Sequence, residues 1–249
     1  MAKILEVCVD SLDSARAAIS AGADRLELCS ALAVGGLTPY TALLRQIRRE
    51  SSIPVRCLMR HRAGDFCYPE HEQELLKLQI LELKDAGADG FVFGFLTPEG
   101  DLDRKAMELL AEACGDCGKT LHRCIDVSRD PVRTYLDAAE AGMDTVLTSG
   151  GGSNCLLGKE TIGRMLSLRD QEKGPEVLIG AGVNASVISQ LRREFPGARA
   201  FHMSGKREVE STMRFRREGI PMGLPGLDEW HIQQTDPQAV QAARNALYD

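Results

Sequence analysis

No run of apolar residues in this 249-residue chain is long enough to cross a bilayer. The N-terminal segment reaches Asp10 before an export signal's apolar region is complete. Both absences predict a cytoplasmic protein with no membrane partner, whose eight cysteines are reduced thiols and not disulfides. Basic residues never gather into a long run either. They come as Arg48-Arg49, Arg192-Arg193 and Arg216-Arg217, and 30 basic against 36 acidic side chains leave a net charge of −6. Nothing in that pattern tracks a phosphate backbone, so nucleic acid is not an expected partner. No linker divides the chain, and no G-x-G-x-x-G turn after the first strand suggests a dinucleotide crevice.

What is present is a globular composition, 43% hydrophobic and 27% charged, able to bury a sizeable core. Segments of strand character alternate with helical ones. Strands are expected at Ile4 to Val9, Arg25 to Cys29, Val55 to Met59, Gly90 to Phe95, Thr120 to Arg123, Thr145 to Thr148, Val177 to Ile179 and Arg199 to Met203. An internal repeat supports the count. Ala21-Gly22-Ala23-Asp24, Ala86-Gly87-Ala88-Asp89 and Ala141-Gly142-Met143-Asp144 each close a helix just before a strand, with glycine as the left-handed cap. Eight such units predict an α/β fold, a single-domain TIM (β/α)8 barrel with a core of about residues 4–205 and a C-terminal extension over 206–249.

Active sites of such barrels form at the C-terminal ends of the strands. There this sequence places Glu6 and Cys8, Glu27 and Cys29, then Arg60 with Asp65, then His122, Arg123 and Asp126, and finally His202. The densest stretch is Leu121 to Asp126, where an apolar strand runs into imidazole, guanidinium, thiol and carboxylate. A buried ion cluster is the structural alternative for that crowding. Period-two geometry puts Glu6 with Cys8, and Glu27 with Cys29, on one face of their strands, and a glutamate facing the interior calls for a partner such as Arg25, Arg60 or Arg123. Cys8 and Cys29 read as small buried hydrophobes one at a time, but as a soft-metal pair suited to Cu(I) when taken in register on adjacent strands. His122 and His202 are candidate proton-transfer groups, and Arg60 and Arg123 candidate anion clamps. Gly180 and Gly182 after strand seven, and Ser204 and Gly205 after strand eight, stand where many barrels bind a phosphate-bearing ligand through backbone N–H groups.

The sequence resembles the CutC copper homeostasis family. The resemblance rests on Leu5 to Ser11, Gly22 to Ser30, Gly35-Gly36-Leu37-Thr38-Pro39, Arg60 to Phe66, His122-Arg123 with Asp126, and Val146 to Gly150, and it extends from Leu5 to about Met222. It implies a TIM barrel, cytoplasmic and homo-oligomeric, linked to copper handling, with Cys8 and Cys29 at the positions of the thiols proposed to bind Cu(I). It also implies a strand-end cluster that looks like an enzyme site without an assigned substrate. The chain departs from the pattern where His61 replaces a proline, Ala63 a glycine and Cys124-Ile125 an Ala-Phe pair, changes expected at the rim of the site. Two functions stand side by side: a Cu(I)-binding homeostasis protein, and an enzyme acting on a small carboxylate or phosphate at the mouth of the barrel.

Overall fold

A computed structural model describes residues 2–172, 174–217, 219–220, 222–223 and 229–249. Eight parallel strands close into a barrel in chain order: β1 (Ile4–Val9), β2 (Arg25–Leu28), β3 (Val55–Leu58), β4 (Gly90–Phe93), β5 (Gly118–Leu121), β6 (Thr145–Thr148), β7 (Glu176–Ile179) and β8 (Ala200–Met203), with β8 pairing back to β1. Around them run α1 (Leu12–Ser20), α2 (Thr41–Glu50), α3 (Glu70–Asp85), α4 (Arg104–Cys114), α5 (Pro131–Glu140), α6 (Lys159–Glu172), α7 (Ala185–Glu194) and α8 (Pro237–Tyr248). This is the TIM barrel expected from the alternation. Most strand residues are buried, with Val, Leu, Ile and Phe predominating among the apolar ones, because a parallel sheet is covered by helices on one face and by its own interior on the other.

Short polar residues start the helices. Ser11, Asp103, Asp130, Asn184 and Asp236 each accept a backbone N–H from the first turn of the helix that follows. The Ala-Gly-x-Asp repeat ends three of them in two steps. Gly22, Gly87 and Gly142 take φ of +87°, +98° and +76°, the left-handed conformation that turns the chain out of the helix. The aspartate two residues on then bonds the preceding strand: Leu5 N–H to Asp24 at 2.8 Å, Val55 N–H to Asp89 at 2.7 Å and Lys119 N–H to Asp144 at 2.6 Å. One four-residue motif therefore stops a helix and fixes the next strand against its neighbour.

The fifth strand differs from expectation. It ends at Leu121, two residues earlier than the sequence suggests, and Arg123–Val127 coil into a 3-10 turn. His122 causes this locally, since its Nδ1 accepts the Cys124 N–H at 3.2 Å and caps the turn in place of a strand bond. The segment from residue 206, expected as an extension, holds two further strands, β9 (Lys206–Glu210) and β10 (His231–Thr235), paired as an antiparallel ribbon, and then α8. This last helix lies between α7 and α1 and buries Val240, Ala243 and Leu247. Arg244 Nε donates to Gly22 O at 2.9 Å, and Arg192 Nη1 to Ala246 O at 2.9 Å. The eighth helix of the ring is thus present, set off from β8 by the inserted ribbon.

Candidate functional site

Strand register decides which groups meet. β1 pairs with β8 so that Glu6 lies opposite His202, and with β2 so that Glu6 lies opposite Arg25 and Cys8 opposite Glu27. Glu6 is wholly buried and doubly held: Arg25 Nε donates to its Oε2 at 2.5 Å, and its Oε1 lies 2.8 Å from His202 Nδ1. Burial alone would raise the Glu6 pKa, but the Arg25 charge and the His202 hydrogen bond outweigh it and hold the carboxyl at about 2. With Nδ1 so engaged, the other ring nitrogen of His202 turns toward Glu27, whose Oε2 is 3.8 Å from Nε2. Cys8 Sγ, a Glu27 oxygen and a His202 nitrogen all lie within 4.8 Å of one another. Burial works against the imidazolium, yet the Cys8 sulfur and the Glu27 carboxylate facing it, with the Glu6 bond, raise the His202 pKa well above 6.5. The Glu27 pKa is raised as well, above its ordinary 4.5, by burial.

Cys29 does not share this group. It lies just past the end of β2, its N–H bonded to Val9 O at 2.9 Å, so Cys8 is opposite Glu27 and the two thiols are not in register as expected. Its thiol donates to Glu27 Oε2 at 3.5 Å, and burial with the neighbouring Glu27 charge drives its pKa well up. Cys8 and Cys29 still belong to one small apolar cluster with Leu58 and Val92.

These residues form one wall of a cavity of about 490 Å³ at the mouth of the barrel, whose lining includes Cys8, Glu27, His202, Ser204, Gly182, Arg60, His122, Arg123 and Asp126. Arg60 follows β3. Its Nη1 donates to the carbonyls of Val34 at 2.9 Å and Gly36 at 3.0 Å, its Nη2 to Gly64 O at 3.3 Å, and its guanidinium lies 5.5 Å from the Phe66 ring centre. It therefore knots the loops after β2 and β3 together. His122 packs against Phe66 with ring centres 4.8 Å apart, and burial together with the Arg60 charge holds its pKa down at about 3, so the ring is a neutral imidazole near neutrality.

Asp126 and Arg123 face each other more than the cavity. Arg123 Nε donates to Asp126 Oδ2 at 2.7 Å, and Asp126 Oδ1 also accepts from Thr148 Oγ1 at 2.6 Å, Ser149 N–H at 3.0 Å and Gly151 N–H at 3.1 Å. The carboxylate thereby fills the backbone N–H hollow after β6. Asp65 is 69% exposed on its side chain and bonds Arg62 and the Cys67 N–H, away from the cavity wall. Gly180 and Gly205 are not on the wall, and a Cβ on Gly180 would lie 2.7 Å from the Leu147 side chain, so close packing accounts for that glycine.

The sequence profile of the CutC family matches residues 3–207. The chain belongs to the CutC family. A CutC protein of Chromobacterium violaceum is 38% identical over 99% of both chains. The human copper homeostasis protein cutC homolog is 37% identical over 98% of this chain and 90% of its own. A crystal structure of CutC from Streptococcus agalactiae superposes with a TM-score of 0.75 at 25% identity, covering 81% of this chain and 98% of that one.

The substitutions expected at the rim of the site lie off the cavity wall. His61 packs on Tyr68 at 5.6 Å and lies 3.2 Å from Glu72, while Cys124 and Ile125 are wholly buried. None of these, nor Ala63, lines the cavity. Three further residues line the cavity whose side-chain or backbone roles the sequence does not specify. Phe66 stacks on both Arg60 and His122, Lys206 stands on the rim, and Ala181 adopts φ +70° on the wall beside Gly182. Ala181 and Lys206 are traceable in the sequence to the Gly180-Ala181-Gly182 and Ser204-Gly205-Lys206 turns, whereas Phe66 is marked only by its place in the loop after β3. Of the groups present, the Cys8 sulfur and the His202 imidazole have the softness Cu(I) favours, whereas Glu27 is a hard donor.

Proposed function

We propose that this CutC protein takes part in copper handling by holding one Cu(I) ion through Cys8 Sγ and His202 Nε2, with Glu27 beside them. The observation that carries the reading is the 2.8 Å contact between Glu6 and His202 Nδ1. Metal-binding histidines characteristically give their second nitrogen to a carboxylate, which fixes the ring and leaves the other nitrogen for the ion. Here that carboxylate is itself pinned by Arg25 at 2.5 Å, so Nε2 is aimed at the Cys8 and Glu27 groups before any ligand arrives. The names of the relatives agree with copper as the cargo. All eight cysteines are free thiols, a state matched to the cytoplasm, where the proposal puts the protein. Cys29 has no place in this set, because its thiol is buried against Glu27.

Anaerobic Cu(I) titration against a chromophoric chelator tests it. Cys8→Ser and His202→Asn each lose affinity by about tenfold or more, the usual cost of removing a coordinating group or its support. Cys29→Ser binds as the parent does. Full affinity in Cys8→Ser would end the proposal.

A second reading rests on the same line of groups. Carboxylate, imidazole and thiol in the order Glu6, His202, Cys8 are also the parts of a nucleophilic catalyst, and would serve an enzyme acting on a small anion in the cavity. Its mark is fast alkylation of Cys8 by iodoacetamide at pH 6, where ordinary thiols are protonated. Alkylation no faster than free cysteine excludes it.

A further inference from the structure

The charges lining the cavity are not balanced. Both acids are matched: Glu27 by the Cys29 thiol and the facing His202 ring, Asp126 by Arg123, Thr148 and two backbone N–H groups. The cations Arg60 and Lys206 are not. Arg60 is 9% exposed, gives its Nη atoms to neutral carbonyls, lies against the neutral Tyr68 hydroxyl, and has no carboxylate within ion-pair distance among the described residues. Lys206, exposed at the rim, also forms no ion pair among the described residues.

His122 adds an independent observation. Its Nδ1 is occupied as an acceptor by the Cys124 N–H, so the single proton of the neutral ring sits on Nε2, and that buried N–H has no acceptor. Buried charge without counter-charge and buried N–H without acceptor both cost free energy, and one bound anion relieves both. The backbone on the opposite wall is held in the left-handed region at Ala181, a strained conformation for a residue with a Cβ, and such strain gathers at ligand sites. Leu32, Leu58, Phe66 and Val183 make the remaining lining apolar.

We propose that the cavity binds a small organic oxyanion, a carboxylate or phosphate ester with an apolar body, its oxygens received by Arg60 and the His122 Nε2–H and its body laid against Leu58 and Phe66. The volume of about 490 Å³ suits such a molecule. Arg123 is excluded from the clamp, being spent on Asp126 and on Ser149 Oγ at 3.0 Å. The site needs no metal at Cys8 and stands apart from the copper reading.

The test uses metal-free full-length protein with 15N-labelled histidine, titrated separately with phenyl phosphate, benzoate, inorganic phosphate and benzyl alcohol. At least one aryl anion saturates, with affinity about tenfold or more above that for inorganic phosphate and benzyl alcohol, since charge and apolar body both contribute. The His122 Nε2–H resonance moves with saturation, and that of exposed His71 does not. Preference for phenyl phosphate assigns a phosphate ester, and preference for benzoate a carboxylate. Arg60→Gln weakens binding by about tenfold or more. Because Arg60 also ties three loop carbonyls, Lys206→Met serves as the variant that leaves those loops in place, with an expected weakening of about threefold. No saturation by about 10 mM, a Kd too weak for a built site, overturns the proposal, as does equal affinity for benzyl alcohol or saturation with the His122 resonance unmoved.

Discussion

Replacing His122 with asparagine should make the protein more tolerant of mild acid. The ring is a neutral donor held near a pKa of 3 by burial and by the Arg60 charge, against about 6.5 in an unfolded chain. A histidine with a lowered pKa leaves stability intact above 6.5 and removes it progressively as pH falls toward 3, because only the unfolded chain takes up the proton. At pH 5 the shift from 6.5 to about 3 has cost about 2 kcal/mol. Asparagine cannot titrate, yet its Oδ1 can accept the Cys124 N–H that Nδ1 now accepts, so the turn keeps its cap. Its smaller volume beside Phe66 carries a cost that does not depend on pH. The measurement is the Tm of both proteins at pH 7 and pH 5, compared as a difference so that Glu6, Glu27 and His202 cancel. The gap should move in favour of the variant by about 4–8 °C, the equivalent of 2 kcal/mol in a chain of this size. Parallel decline of the two proteins between those pH values would refute the account of His122.

Glu6→Gln strips the Arg25 guanidinium of its buried counter-charge and should cost about 3–5 kcal/mol by thermal or urea unfolding; a loss below about 1 kcal/mol would show that the pair is not the fixed point it looks to be. Asp126→Ala frees the Ser149 and Gly151 N–H groups and should lower stability by about 3 kcal/mol, with faster hydrogen exchange at those amides as the specific sign. Unchanged exchange there would remove Asp126 from its role in the loop. Leu247→Ala in α8 should cost about 2–5 kcal/mol, whereas Ile232→Ala on the exposed face of the ribbon should cost under about 0.5 kcal/mol. Equal losses would mean that α8 is not part of the barrel wall.

Much of the fold is written in local pattern. β1 runs from Ile4 to Val9 as its β-branched character suggests, and the Ala-Gly-x-Asp repeat marks three helix ends. The end of β5 was hidden because a long-range strand pattern and a short-range cap compete at His122, and the cap wins. The eighth helix was hidden for another reason: the ribbon separates it from β8, so the helix no longer follows its strand in sequence. At the site, period two shows that Glu6 and Cys8 share a face but not which residue stands across from them. Strand tilt in a closed barrel slides neighbours past one another, and that slide brings Cys8 to Glu27 instead of Cys29. Arg60 is legible as a cation, but its bonds to Val34, Gly36 and Gly64 depend on loop paths that no spacing encodes.

The contact between Glu6 and His202 joins residues 196 positions apart, on the first and last strands, across the seam where the barrel closes. During synthesis Cys8 and Glu27 emerge early, while the imidazole that completes their group is among the last parts of the barrel to be made. A half-made chain therefore holds a thiol and a carboxylate but not the imidazole that stands beside them in the closed barrel. Closure of the ring and assembly of the site are one event, so anything that captures His202 also bears on the joint that keeps the barrel shut.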